Sequence, residues 1–359
     1  MRRLPNVRLV TPLVLLLPFS TGCGRTQTAP LAAGPAATTS STGTSEQRTT
    51  KASERKAVKL ADLKDERIDE SSGLGASRRY PGYFWTHNDS GDSERLFLVS
   101  RDGDTAGVVT LPKATNLDWE DMAVAGTAES SWVYVADIGD NLSGRPAIAV
   151  YRFREPEFSN ISGQTSGALP IPNGTTAPVL NAPTALNKDA PQQEVASEQI
   201  TLFYPDGPHD AETLLATPDG HLLLVTKNQR GSAVYVTPKP FANGERQTLK
   251  KRGPLQFDAV SLFSRLLTGG DLSPDGTRLV LRTYTHAHEW QLTAPYSVDD
   301  KWWIRKAATF VLPSTRQGES VAYALDNRTI VTTSEKTPAP LWQITSDGAL
   351  GPLHVPDIR

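Results

Sequence analysis

Three glutamates carry the chemistry that is easiest to read from this chain. Glu120, Glu212 and Glu319 each stand at the head of a short apolar run. If those runs are equivalent inner strands of one ring, their carboxylates converge. Carboxylates that converge without partners repel one another, and a hard divalent cation, calcium or another, relieves that through oxygen ligands. The alternative gives each glutamate to backbone N–H groups or to a Ser, Thr or Lys of a neighbouring unit, as a register pin. Asp271 has a different spacing and stands apart from the three. A second set closes the apolar runs that follow: His87, Asn88 and Asp89, then Asp137, Lys227, Arg282 with Tyr284, and Glu335. Mixed charge at one place suits a small polar or anionic ligand, with Lys227 and Arg282 as donors. Ion pairs between units are the competing use.

Other chemistry is thinner. Asn88-Asp89-x-x-Asp92 and Asp137-x-x-Asp140-Asn141 offer oxygens for calcium, but neither fits the EF-hand loop, and Asx-rich turns need no metal. His286 and His288 share one face of a strand, without an assured third ligand for zinc. There is no Gly-x-Ser-x-Gly elbow, phosphate-binding glycine loop or dinucleotide fingerprint. A formal net charge of −2 and the lack of a long basic run give no footprint for nucleic acid. Cys23 is the only cysteine, which excludes an intrachain disulfide and any multi-cysteine metal site.

The elements that must position these residues are short strands. Residues 204–228 show the unit: an acidic start (His209, Asp210, Glu212), a run at Leu214-Leu215, a Pro218-Asp219-Gly220 turn, and a second run from Leu222 to Val225 that stops on Lys227. The unit recurs. The first copy runs from Ser72 to Leu111 and the second from Glu120 to Tyr204. The third runs from Glu212 to an outer strand at Leu255–Phe257, the fourth from Asp271 to Leu312, and the fifth from Glu319 to Ile344. Each of the first four holds four strands, as a propeller blade does, and 27 prolines with 27 glycines suit a turn-rich all-β chain. The fifth lacks its outer strand. Val58 to Leu63 alternates apolar and polar, belongs to no other unit, and supplies that strand, closing the ring. The expectation is an all-β, five-bladed β-propeller over residues 56–359. Six blades is the alternative, because Ala259 to Leu267 is apolar enough to hold further strands. Trp85, Trp119, Trp132, Trp290 and Trp342 lie in or beside strands and read as packing between blades.

The N-terminal part reads as an address. Arg2, Arg3 and Arg8 precede an apolar run from Val10 to Phe19 of signal-peptide length, too short to span a bilayer comfortably. Ser20-Thr21-Gly22-Cys23 follows. Residues 23–55 are rich in Thr, Ser, Ala and Gly and read as a disordered tether reaching on the order of 30 Å. Residues 156–197 have the same character and read as a loop insertion.

The segment ending at Cys23 resembles the lipobox of bacterial lipoproteins, although Ser20 replaces the usual aliphatic residue. That resemblance implies residues 1–22 as signal peptide, a lipid on Cys23, and a place in the bacterial cell envelope facing away from the cytoplasm. A second resemblance is carried by Ser71-Ser72-Gly73-Leu74, Trp85 to Asp92, Asp118-Trp119-Glu120-Asp121, Asp137 to Asn141, Pro205-Asp206-Gly207 with Asp210-Ala211-Glu212, Gly270 to Gly276 and Gln317-Gly318-Glu319. Together with Leu281-Arg282-Thr283-Tyr284, which accompanies the Gly270 to Gly276 stretch, these resemble a set of bacterial secreted or lipid-anchored, WD-repeat-like propellers, over about 65–345. The resemblance implies a propeller and no activity. A remoter likeness, of architecture and acidic strand starts alone, is to phytase-like and gluconolactonase/regucalcin-like propellers, which carry calcium or another divalent ion near the tunnel. Two functions follow as expectations. The first is a non-catalytic envelope propeller that binds a small polar ligand or an envelope protein at the tunnel mouth. The alternative is a divalent-metal-dependent phosphoesterase or lactonase at the tunnel.

Overall fold

The structure is a computed structural model and describes residues 55–159, 161, 186–259, 261–293 and 296–346. The signal segment, Cys23, nearly all of the tether and most of the 156–197 insertion lie outside the described residues.

Short strands and tight turns build the fold. β1 (Arg55–Asp62) comes first. Blade 1 follows as β2 (Ser71–Ala76), β3 (Tyr83–Asn88), β4 (Arg95–Ser100) and β5 (Thr105–Thr110). Blade 2 begins with β6 (Trp119–Gly126), β7 (Ser131–Asp137) and β8 (Ile148–Arg154). The chain then passes β9 (Gln192–Glu194) before the outer strand β10 (Glu198–Phe203). Blade 3 has β11 (Ala211–Ala216), β12 (Leu222–Thr226) and β13 (Ala233–Val236), then β14 (Arg246–Thr248) and the outer strand β15 (Lys250–Pro254). Blade 4 is β16 (Leu267–Leu272), β17 (Arg278–Thr283), β18 (His286–Gln291) and β19 (Ala308–Val311). Blade 5 is β20 (Gln317–Tyr323), β21 (Ile330–Glu335) and β22 (Pro340–Ser346), and β1 is its fourth strand. The protein is a five-bladed propeller. The first hairpin of blade 3 shows why its turn is where it is: Gly220 at φ 84° takes the left-handed position that a side chain would resist.

The sheets pack face to face through one apolar cluster per interface. Trp85, Trp119, Met122 and Phe153 fill the gap between blades 1 and 2, and Trp290, Trp302 and Leu215 lie between blades 3 and 4. Trp132 instead lies half-buried under the guanidinium groups of Arg152 and Arg154. Polar pins supplement the packing. Buried Glu155 accepts Trp85 Nε1 at 2.8 Å from blade 1 and Ser131 Oγ at 2.6 Å from blade 2. In the tunnel, Asp121 Oδ2 accepts the N–H groups of Leu214 at 2.9 Å and Gly270 at 3.3 Å, tying β6 to β11 and β16. Asp271 accepts the N–H of Tyr323 at 2.8 Å, tying β16 to β20. Asp271 is thus a pin, and not the equivalent of the three glutamates.

Three details differ from the sequence reading. The outer strand of blade 3 is Lys250–Pro254, not Leu255–Phe257. It is mostly solvent-facing and carries no apolar pattern, while Leu255 turns into the core just beyond it. The described part of the insertion is not only loop: β9 pairs parallel with β5, one blade back. β14 does the same, pairing parallel with β10 of the preceding blade. Among its described residues, Ala259 to Leu266 holds turns and no strand, so no sixth blade arises there.

β1 closes the ring antiparallel to β22, with Arg55 opposite Ser346 and Asp62 opposite Pro340. Arg55 also reaches blade 4. It forms an ion pair with Glu289 and lies 4.1 Å over the Phe310 ring.

Candidate functional site

A β-bulge marks the head of every inner strand. The ladder breaks between Ser71 and Leu74, Trp119 and Asp121, Ala211 and Thr213, Leu267 and Gly269, and Gly318 and Val321. A bulge re-aims the residue it leaves out. Ser72, Glu120, Glu212, Thr268 and Glu319 therefore occupy equivalent positions in the five blades. Ser72 and Thr268 spend their hydroxyls on the carbonyls of Glu120 (2.6 Å) and Gly318 (3.0 Å) in the next blade. The three glutamates remain for the mouth. Inner strands start, and second strands end, at this same face.

Glu120 is the hub. Its carboxylate lies with those of Asp89 and Asp118 in one group and with those of Asp210 and Glu212 in another; within each group the ligand atoms are within 4.8 Å of one another. Asp118 and Asp210 were not among the site residues expected from sequence. Their signal was present as a repeated Asp-x-Glu, Asp118-Trp119-Glu120 and Asp210-Ala211-Glu212. Gly139 backs the first group. A Cβ there would stand 2.2 Å from Glu120 Oε1 and 2.4 Å from Asp118 Oδ2. We expect Gly139→Ala to keep the fold and weaken any cation held by these oxygens by about tenfold or more. A calcium titration by calorimetry checks this, and unchanged affinity would remove Gly139 from the site.

Lys227, directly after β12, forms an ion pair with Glu212, and its Nζ lies 5.3 Å from the Tyr284 ring centroid. Glu319 is almost wholly buried, and its Oε2 has no hydrogen-bond partner. Asp137 is held by Arg145 at 2.8 Å and accepts the Asp118 N–H at 3.1 Å. Glu335 lies 3.5 Å from Lys336, which also pairs with Glu70.

Burial and crowding push these carboxyls up. Glu120 is raised well above the ordinary range by burial, then by Glu212, Asp89 and Asp118. Burial, then Asp89 and Asp210, raises Asp118 to about 6. Glu212 is raised to about 7 by burial, against the opposing Lys227, and Glu335 to about 7 by burial and then Asp89. Glu319 is raised by burial and then Glu212. Asp89, Asp137 and Asp210 are raised too, each first by burial. Burial opposes the Lys227 charge, but Glu212, Tyr284 and Glu319 outweigh it and hold the ammonium protonated. Tyr284 is raised to about 12 by burial and Glu319.

Three expected residues are not presented to the mouth. Arg282, 1% exposed, donates to the carbonyls of Ser320 (3.0 Å), Thr333 (3.2 Å) and Thr283 (3.2 Å) and to Thr332 Oγ1. A second strand ending at an interface offers its guanidinium bare backbone carbonyls, and they take it. His87 is fully buried edge-on to Trp119, and burial lowers its pKa to about 4. Asn88 bonds the Arg67 carbonyl, Asp92 and the Glu70 N–H. The Asx-rich loops perform turn chemistry: Asp140 accepts the N–H groups of Gly144 and Arg145, and Asp92 pairs with Arg95. His286 and His288 stack 6.5 Å apart and bond Thr285 and Thr309; neither joins a converging ligand group among the described residues.

No family model matches the chain, and no curated protein matches it. Solved structures do. A putative gluconolactonase aligns at 13% identity over 82% of this chain and 92% of that one, TM-score 0.39. A streptogramin B lyase aligns at 7% identity over 82% and 98%, TM-score 0.38. The β-propeller domain of Myceliophteria thermophila Cps50 (Swd1) aligns at 12% identity over 76% and 83%, TM-score 0.35.

Proposed function

We propose that the mouth binds a divalent cation, calcium or a similar ion, and through it a small polar ligand. One observation carries this reading: Glu120 belongs to two three-carboxylate groups whose ligand atoms lie within 4.8 Å. The residues fit a hard cation. Every donor is a carboxylate oxygen, which suits calcium. Glu319 belongs to neither group, and Gly139 leaves open the space a side chain would fill beside Glu120 and Asp118. A bound cation would supply a Lewis acid for a phosphoryl or carbonyl oxygen. Lys227 adds an ammonium beside Glu212 that can donate to an anionic ligand group.

A second reading, hydrolysis of a phosphoester or lactone, is favoured by Asp118. Two carboxylate groups meet at Glu120, so a cation held by Glu120, Asp210 and Glu212 would leave Asp118 beside it to take a proton from water. The deciding experiment is metal analysis of the purified protein, then a panel of phosphoesters and lactones with the Asp118→Asn variant beside wild type. Retained metal without turnover leaves the binding reading. Absence of metal and of any calcium response removes both.

The same protein is proposed to sit in the bacterial envelope, tethered by lipid on Cys23. Cys23→Ser is expected to move it from the membrane fraction to the soluble one. Continued membrane association, seen by fractionation and blotting, would overturn the lipoprotein assignment.

A further inference from the structure

Isolated exposed leucines are ordinary, but their concentration on one rim is informative. Leu117 is 65% exposed and directly precedes Asp118. Leu142 is 94% exposed in the loop after β7. That loop is pinned against the mouth by the Asp140 N–H, which donates to Asp210 Oδ1 at 2.9 Å. Phe263 is 61% exposed with Leu262 beside it, and its ring is 6.1 Å from Tyr284, the residue over which Lys227 lies. All four side chains stand on loops of the mouth face. They approach the carboxylates from the blade 2 side and from the blade 3–4 junction.

Resting on the mouth as the ligand site, we infer that the ligand is an amphiphile: an anionic, oxygen-bearing head in the mouth and an alkyl or acyl chain laid on Leu117, Leu142 and Phe263. A polar centre with an apolar border is what recognises a single molecule of that kind. The source is a free amphiphile. One anionic head can be met by the cation and Lys227, whereas a bilayer would set many such heads against the remaining carboxylates.

The test is a series of monomeric alkyl phosphates, ethyl to decyl, titrated into the full chain by calorimetry below their micelle concentrations, with and without calcium. Half-covered methylenes should tighten binding about twofold each. The double variant Leu142→Ser, Phe263→Ser changes only exposed positions. It should flatten that slope while ethyl phosphate binds as in wild type and the melting temperature holds. Ethyl phosphate binding with a flat slope in wild type overturns the amphiphile and leaves the mouth. So does a slope untouched by the double variant. If no member binds in calcium, the mouth reading falls as well. Binding of long chains without calcium, or of phosphatidic acid vesicles but no monomer, also overturns the inference.

Discussion

Deleting residues 1–63 should leave a chain that aggregates, whereas deleting residues 1–53 should leave a folded propeller. The difference is one strand. β1 pairs with β22 from Arg55–Ser346 to Asp62–Pro340, and it is the fourth strand of blade 5. Leu63 packs with Leu341 and Phe97 in the cluster between blades 5 and 1, and Leu60 leans on it. Without β1, the β22 edge is bare and invites pairing with another chain. The Arg55–Glu289 ion pair goes too, leaving Glu289 buried with Tyr323 and Arg278. A whole domain is stable by only about 5–15 kcal/mol, and loss of a strand with its cluster is of that size. Size-exclusion chromatography and thermal melting separate the two truncations. Equal stability would mean that β1 does not close the ring.

Saturating calcium should raise the melting temperature strongly, and the rise should disappear in Glu120→Gln. At a thousand times its dissociation constant, one bound ion adds about 4 kcal/mol. Glu120 is the better probe than Glu212, because it belongs to both carboxylate groups and its loss does not strand a lysine; Glu212→Gln would leave Lys227 unpaired. pH gives an independent readout. Glu212 and Glu335 titrate near 7 in the fold and Asp118 near 6, above their unfolded values. The native state then binds more protons, so stability present at low pH is lost as pH rises through the folded values. Calcium-free protein should therefore melt lower at pH 8 than at pH 6.5, and calcium should reduce that fall, leaving the part owed to Glu335 and Asp271, which lie outside both carboxylate groups. The comparison stays at or above pH 6.5 because His87 and His288, both lowered to about 4 by burial, act in the opposite sense below it. A calcium-free protein equally stable at both pH values would show that the carboxylates are compensated within the chain.

Most of the ring was legible because each blade repeats its hairpin signature, and because Val58 to Leu63 had no other unit to join. The outer strand of blade 3 was not, since Lys250–Pro254 is exposed and reads as loop. Nor were β9 and β14, three-residue strands held by parallel pairing to another blade, a long-range event that leaves no local pattern. At the mouth, the glutamates were legible by position. Arg282 was misread because charge and strand end are visible in sequence, whereas the row of carbonyls that takes its guanidinium is not. Asp118 and Asp210 were not singled out, although their spacing from Glu120 and Glu212 repeats.

The closing strand also decides how the ring bears load. Arg55 faces Ser346, so the chain continues from β1 and from β22 at the same end of the pair. A pull delivered through residue 54 would meet the ladder at its first rung and peel it one hydrogen bond at a time, rather than shear all of them together. The Arg55 clasp on Glu289 and Phe310 sits at that first rung and fastens it to blade 4. Resistance at the first rung then rests on the Arg55 side chain, and Arg55→Ala should lower the rupture force in a pulling experiment more than it lowers the melting temperature.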